Sequence, residues 1–312
     1  MNLLRGLKKT PLRRTAVAIG VFDGVHRGHL AILTAAIAEA KRRGLKPVAL
    51  TMDPHPSSVL RPDAKTPLLY SLEHRLELLK AAGIRTAVIL KFDRAMARMS
   101  ARDFSRKVLA ERLGAKAVFV GTNFRFGRGA EGDAAFLQSE GSLAGYTVQA
   151  VPPVRSGPGP VSSSRIRAAV SAGRFAEARR LLGRDYSLFG TVVRGDGRGR
   201  RLGFPTLNLL LDHELLPPPG VYAVRARSGR AEYPGVFHLG PRPTFDSSAV
   251  RAECHLLKAP KAELYGRRFE LVPVKHLRQV RRFASPDALA AQIARDVRSA
   301  RLALQRPLER VY

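Results

Sequence analysis

Apolar and polar positions follow two different rhythms along this chain. In the first half, short apolar runs alternate with stretches of helical period. "TAVAIGVF" (residues 15–22) precedes "HLAILTAAIAEAKRRG", which Gly44 closes as a C-cap. "PVALTMD", "TAVILKF" and "AVFVGTNF" are further strand-like runs, with "SLEHRLELLKAAG" and "ARDFSRKVLAERLGA" as helices between them. Ser71 is placed to N-cap the first of those helices, and Gly83 lies just past its end. Strand and helix alternating in this way predict a parallel sheet covered by helices on its faces. Ligands of such sheets bind beyond the C-terminal ends of the strands.

After "RFAEARRLLGRDYS" the helical period stops. "LFGTVVRG", "TLNLLL", "GVYAVRAR", "AEYPGVFHLG", "RAECHLL" and "RFELVPV" come next as short β-rich runs separated by Gly and Pro turns, with "SGR" as a hairpin loop. Their close spacing predicts a compact antiparallel barrel. A final helix ends the chain, with Ser285 as N-cap, Pro286 in its first turn, and Leu289, Ile293 and Val297 as one apolar stripe. The boundary is expected near Gly183, giving domains 1–183 and 184–312. A length of 312 residues suits two domains.

Composition narrows the class. No window approaches the ~18 apolar residues of a membrane span, and "MNLLRGLKKTPLRR" carries charge but no apolar signal core. The expectation is a cytoplasmic protein. One cysteine, Cys254, leaves no intrachain disulfide and no cysteine-based zinc site. The net charge of +29 would attract polyanions in a salt-dependent way. The basic residues are scattered, however, and aromatic residues are only 7% with no tryptophan, so stacking platforms for single strands are scarce. The charge fits a solvated surface better than a specific nucleic-acid site, and no membrane partner is expected.

Chemistry concentrates first in "GVFDGVHRGHL", Gly20 to Leu30. His26 and His29 stand three apart at the predicted start of a helix, so they share one side. Gly28 between them permits close backbone approach, and the helix N-terminus adds unpaired N–H groups and a positive dipole end. All of this favours a phosphate. A metal would need further ligands, and only Asp23 is near in sequence.

"GVFDGVHRGH" resembles the H-x-G-H motif of nucleotidyltransferases. With "FDGV" in front it is similar to the FMN adenylyltransferase part of prokaryotic bifunctional riboflavin kinase/FAD synthetases. "MDPHP" (52–56), "GTNFRFGRGAEGD" (121–133) and "VSSSRIR" (161–167) occur after it in that family's order. The resemblance implies a Rossmann-like nucleotidyltransferase domain in which the FMN phosphate attacks the α-phosphorus of ATP and pyrophosphate leaves. It implies that His26 and His29 are catalytic and hold the α- and β-phosphates. Phe22, Asp23, Gly24 and Gly28 then belong to the ATP site, and Ser163, Ser164 and Arg167 clamp the outer phosphates. Asn123 falls on the flavin side. Two residues depart from the family's habit: Asn123 stands where aspartate is usual, and Ser164 where threonine is usual.

The second concentration is "GDGRGRRLGFPTLN", Gly195 to Asn208, which lacks a Walker A pattern. Its glycines allow an anion-binding nest. Thr206 and Asn208 alternate onto one side of a strand and offer hard oxygen donors suited to Mg²⁺. This half looks like a riboflavin kinase domain, with "PPPGVYAV", "GPRPTF", "AECHLL" and the terminal segment matching as well. The resemblance assigns ATP to Gly195, Gly197, Arg200, Gly203, Thr206 and Asn208, the metal to Thr206 and Asn208, and the general base to Glu253. Cys254 should face the opposite way, buried.

The expected enzyme converts riboflavin and ATP to FMN and ADP, then FMN and ATP to FAD and pyrophosphate. Two alternatives remain at this point: a kinase whose adenylyltransferase half has degenerated, and a basic nucleic-acid-binding protein on the same fold.

Overall fold

The structure, a computed structural model, describes residues 1–7, 12–195, 199, 203–241, 250–260 and 262–305. Packing divides the chain into two units, Met1–Ser163 and Ser164–Tyr312.

The first unit is built on six parallel strands. They are β1 (Asn2–Arg5), β2 (Thr15–Ile19), β3 (Lys46–Asp53), β4 (Thr86–Lys91), β5 (Ala115–Gly121) and β6 (Thr147–Val151). Across the sheet they lie in the order β1-β4-β3-β2-β5-β6. Sequence reading missed β1, a four-residue edge strand with no period to read. Its neighbour β4 recruits it by parallel pairing.

Both faces of the sheet are buried, as parallel sheets require. One face presents Ala16, Ala18, Ala49, Ala87 and Ala117 to helices α1 (Arg27–Arg43) and α2 (Leu72–Ala81). These small residues let the helices lie close. The other face presents Val17, Ile19, Val48, Leu50, Val118 and Val120 to Phe104, Val108, Leu109 and, on α3 (Ala134–Ala144), Leu137. The predicted α-helix over 101–115 is α-helical only at Ala101–Asp103, and Phe104–Arg112 winds as a π-helix. Leu113 N–H accordingly donates to Val108 O at 3.0 Å.

A two-strand ribbon of β7 (Arg155–Ser156) and β8 (Gly159–Pro160) ends the first unit. The second unit is a closed antiparallel barrel of β9 (Leu188–Val193), β10 (Leu207–Leu211), β11 (Gly220–Ser228), β12 (Ala231–Pro241), β13 (Val250–Leu256) and β14 (Arg268–Arg278). Around the barrel the order is β10-β13-β12-β11-β14-β9. The β11–β12 hairpin closes as expected, Ser228 opposite Ala231, with Gly229 at φ 60°.

Two helices before the barrel, α4 (Ser163–Ser171) and α5 (Phe175–Leu182), pack in this second unit rather than the first. Phe175 meets Tyr222 edge-on at 5.8 Å between ring centroids. Division by packing therefore falls before the boundary read from sequence at Gly183.

The terminal helix α6 (Pro286–Leu304) begins at Ser285, whose side chain caps Ala288 N–H. Its buried face is rotated from the predicted Leu289/Ile293/Val297 stripe. Gln292, Asp296, Ala300 and Leu304 are the buried residues, and Val297 packs beside them. The polar pair is satisfied: Arg278 donates to Asp296 at 2.8 Å, and Gln292 Nε2 donates to Asp296 Oδ1 at 2.8 Å.

Candidate active sites

Strand order reverses on either side of β2, and β2 pairs directly with β5. The crevice beyond this switch point is where ligands of such sheets bind. The His26 turn leaves the end of β2 and the Asn123 turn leaves the end of β5, so the fold brings both to one edge.

The turn after β2 is strained. Phe22, Gly24 and Val25 have φ of 54°, 84° and 36°. Only glycine takes such values freely, so the two other residues must be held there. Several bonds hold them. Val25 N–H donates to Phe22 O at 3.1 Å. The Asp23 carboxylate, 2% exposed, accepts from Leu69 N–H at 3.0 Å. Thr51 Oγ1 and Arg75 Nη1 both donate to Val21 O, each at 2.9 Å. Ser163 Oγ, at the end of the first unit, donates to Asp23 O at 2.9 Å.

The same turn fixes the surroundings of Phe22 and Gly28. The Phe22 ring is fully buried against Gly20, whose missing Cβ would stand 3.1 Å from the ring. Gly28 makes room for a neighbouring side chain: a Cβ there would lie 3.2 Å from the His26 ring.

His26 is the N-cap of α1, its Nδ1 accepting from His29 N–H at 3.3 Å. A neutral His26 ring must then carry its proton on Nε2. The two imidazoles stack at 3.7 Å between centroids and 14° between planes, and His29 meets the Phe22 edge at 5.4 Å. The result is two rings at fixed separation beside a helix N-terminus. Preorganised donors of this kind suit charge on a phosphoryl oxygen.

Ser164 and Arg167 lie on the first turns of α4, after Ser163. Asn123 is exposed, its Oδ1 lying 3.0 Å from the position a Gly121 Cβ would take. Phe124 and Phe126 stack at 5.3 Å in the same turn.

In the barrel, register assembles the second site. Asn208 on β10 stands opposite Glu253 on β13, and Glu253 stands opposite His238 on β12. Alternation puts Thr206 on the same side as Asn208. Side chains at Gly195 or Gly199 would collide with the Asn208 amide and crowd the Thr206 hydroxyl, so these glycines bring backbone against both donors. Oxygen donors against a glycine-rich backbone fit Mg²⁺ with nucleotide phosphates. Among the described residues, no group of three or more His, Cys, Asp and Glu gathers as a metal cluster. Gly203 has φ 80°, whereas Gly197, Arg200 and most of "GPRPTF" lie outside the described residues.

Glu253 accepts from Arg251 at 2.9 Å, so the carboxylate is oriented by its own strand. Burial pulls the His238 pKa down against the opposing charge of Glu253, which leaves a neutral imidazole beside the carboxylate. Cys254 faces inward, fully buried, and burial pushes its thiol up to about 12.

Sequence reading missed Thr51, Arg75 and His238. Arg75 had a signal, since a charge at that position interrupts the apolar face of Leu72, Leu76 and Leu79.

A family model described as FAD synthetase matches residues 8–165, and one described as riboflavin kinase matches residues 182–304. The bifunctional riboflavin kinase/FMN adenylyltransferase of Escherichia coli (strain K12) is 37% identical over 305 residues, covering 96% of this chain and 97% of that protein. The chain belongs to this bifunctional family. The Bacillus subtilis (strain 168) protein of the same name is 32% identical over 300 residues, with 94% of each chain covered.

Among solved structures, one from Streptococcus pneumoniae, named as a macrolide-efflux protein, matches with TM-score 0.86 and 28% identity. It covers 96% of this chain and 99% of its own. No helix among the described residues is long and apolar enough to cross a membrane. As a riboflavin kinase/FMN adenylyltransferase, the chain uses ATP as co-substrate and small flavins as substrates.

Proposed function

We propose that the His26/His29 turn carries FMN adenylylation and the Asn208/Glu253 row carries riboflavin phosphorylation. The observation behind this reading is the stacked histidine pair at a helix N-terminus in the first unit and the Asn208/Glu253 row of the barrel in the second, in the family's order along the chain.

In the first site, His26, His29 and the α1 N-terminus hold the α- and β-phosphates of ATP. Gly24 and Gly28 let the backbone approach, and Asp23 keeps the turn in shape. Ser163, Ser164 and Arg167 take the outer phosphates, and Asn123 serves the flavin side. The FMN phosphate oxygen attacks the α-phosphorus as the bond to pyrophosphate breaks. Charge grows on the equatorial oxygens, where positioned donors lower the barrier.

In the second site, Thr206 and Asn208 would hold Mg²⁺ with ATP, and the ion would supply charge neutralisation at the phosphates. Gly195, Gly197, Arg200 and Gly203 form the surrounding loop. Glu253 takes the proton of the ribityl 5′-hydroxyl as its oxygen attacks the γ-phosphorus and ADP leaves. We assign the kinase to residues 184–312, the adenylyltransferase to residues 1–183, and the enzyme to the cytoplasm.

The test is incubation with riboflavin, ATP and Mg²⁺, then chromatographic separation of flavins. FMN should appear first and FAD after it, and EDTA should stop both. Accumulation of FMN without FAD would mean that the first site is inactive.

A further inference from the structure

Arg75 has no assigned role, yet it is the bulkiest fully buried side chain described, 1% exposed. Burying a guanidinium is costly unless its charge and donors are matched. Burial pulls its pKa down, and Asp23, Asp53 and Glu73 push back. Its two terminal nitrogens go to different strands: Nη1 donates to Val21 O at 2.9 Å, just past β2, and Nη2 to Asp53 Oδ1 at 3.3 Å, at the end of β3. Nε is buried without a hydrogen-bond partner among the described residues. Both terminal nitrogens are thus spent on joining the ends of two neighbouring strands.

The segment beyond Val21 explains that use. It consists of the strained Phe22–Val25 turn and then His26. Positive φ at Phe22 and Val25 persists only if both ends of the turn are fixed. Thr51 and Arg75 fix its first end, both through the Val21 carbonyl. Asp23 and Leu69 fix its middle.

We infer that Arg75 is a positioning residue for adenylyl transfer, clamping the ends of β2 and β3 so that the His26/His29 rings meet the phosphate. This rests on the adenylyltransferase assignment of that site. Displacement of a reacting group by about 1 Å can cost about 10²-fold in rate. Arg75→Met should therefore lower kcat for FMN to FAD by about 10- to 100-fold, with KM for FMN within about twofold of the parent.

A four-enzyme cycle separates aim from mere stability: parent, Arg75→Met, His29→Ala and the double variant, each checked by circular dichroism. If Arg75 acts through the histidines, its removal should cost little once His29 is gone, about threefold or less. The same fold-loss in both backgrounds, or parental kcat in Arg75→Met, would overturn the inference. Should Arg75→Met not fold, Thr51→Val carries the same cycle. It deletes only the hydroxyl donor to the same carbonyl, and its expected loss is about 3- to 10-fold. Parental FAD formation by His29→Ala would instead sink the adenylyltransferase reading itself.

Discussion

The two proposed phosphate sites are built by opposite means. Around His26, geometry comes from a strained turn held by groups distant in sequence: the side chains of Thr51, Arg75 and Ser163 and the backbone N–H of Leu69. Around Glu253 it comes from strand register, which sets Asn208, Glu253 and His238 side by side across three strands. A turn can be disturbed from far away, because each of its fixings is a separate bond. A register row is harder to disturb, since a slip would turn every inward residue of the barrel outward. Substitutions outside the contact shell should thus harm adenylylation more than phosphorylation.

The largest expected effect tests the row. Glu253→Gln keeps the shape and the hydrogen-bonding reach but removes the base. General-base catalysis contributes about 10²–10⁴-fold, so riboflavin phosphorylation should fall by that order. Mg-ATP binding by calorimetry should persist, because Thr206 and Asn208 are unchanged. Conversion of supplied FMN to FAD should match the parent. Near-parental phosphorylation would remove Glu253 from the mechanism and leave positioning to explain the rate.

Next comes the turn. His29→Ala removes one donor from the transferring phosphate, a loss of about 10²–10³-fold. The variant should accumulate FMN from riboflavin. It should also keep its fold, since His26 remains as N-cap. FAD formation at the parental rate would end the phosphate-clamp reading.

This contrast also explains what could be read from sequence. His26, His29, Thr206 and Asn208 lie in short motifs whose spacing states which side each residue takes, whereas Glu253 was marked only by the family resemblance. The barrel and parallel sheet were legible because their periods differ. Arg75 and Thr51 were not, because their partner Val21 is distant in sequence and a backbone carbonyl leaves no mark in a motif. The rotated face of α6 was hidden for a related reason. Gln292 and Asp296 are polar, and their burial depends on Arg278 of β14, which no local pattern in the helix reveals. β1 carries too few residues for any period, and no pattern in the sequence of Phe104–Arg112 marks its π-winding.

A smaller effect concerns where the kinase unit begins. A fragment from Arg184 holds the barrel and α6. A fragment from Ser164 adds α4 and α5, whose Ile166, Ala178, Leu181 and Leu182 are buried. Both fragments should phosphorylate riboflavin. The longer one should melt higher by ~5 °C or more, since each 1 kcal/mol shifts the midpoint of domains this size by about 2–8 °C. Equal melting temperatures would mean that the two helices add nothing to the barrel. Kinase activity in neither fragment would break the assignment of phosphorylation to residues 184–312.

The smallest effect tests the departure at position 123. Asn123 is exposed in the turn after β5, with its amide oxygen lying back over Gly121. Asn123→Asp changes no shape and adds one negative charge. A charge-assisted hydrogen bond is roughly twice as strong as a neutral one, a difference of about 1 kcal/mol. If this side chain meets a donor of the flavin, KM for FMN in FAD synthesis should fall about two- to fivefold, with kcat unchanged. KM for riboflavin in the kinase reaction should stay constant, because that site belongs to the barrel. An unchanged KM for FMN would show that asparagine already makes the contact the flavin requires. A raised one would show that the added charge meets no donor of the flavin, and that the departure at position 123 carries no cost.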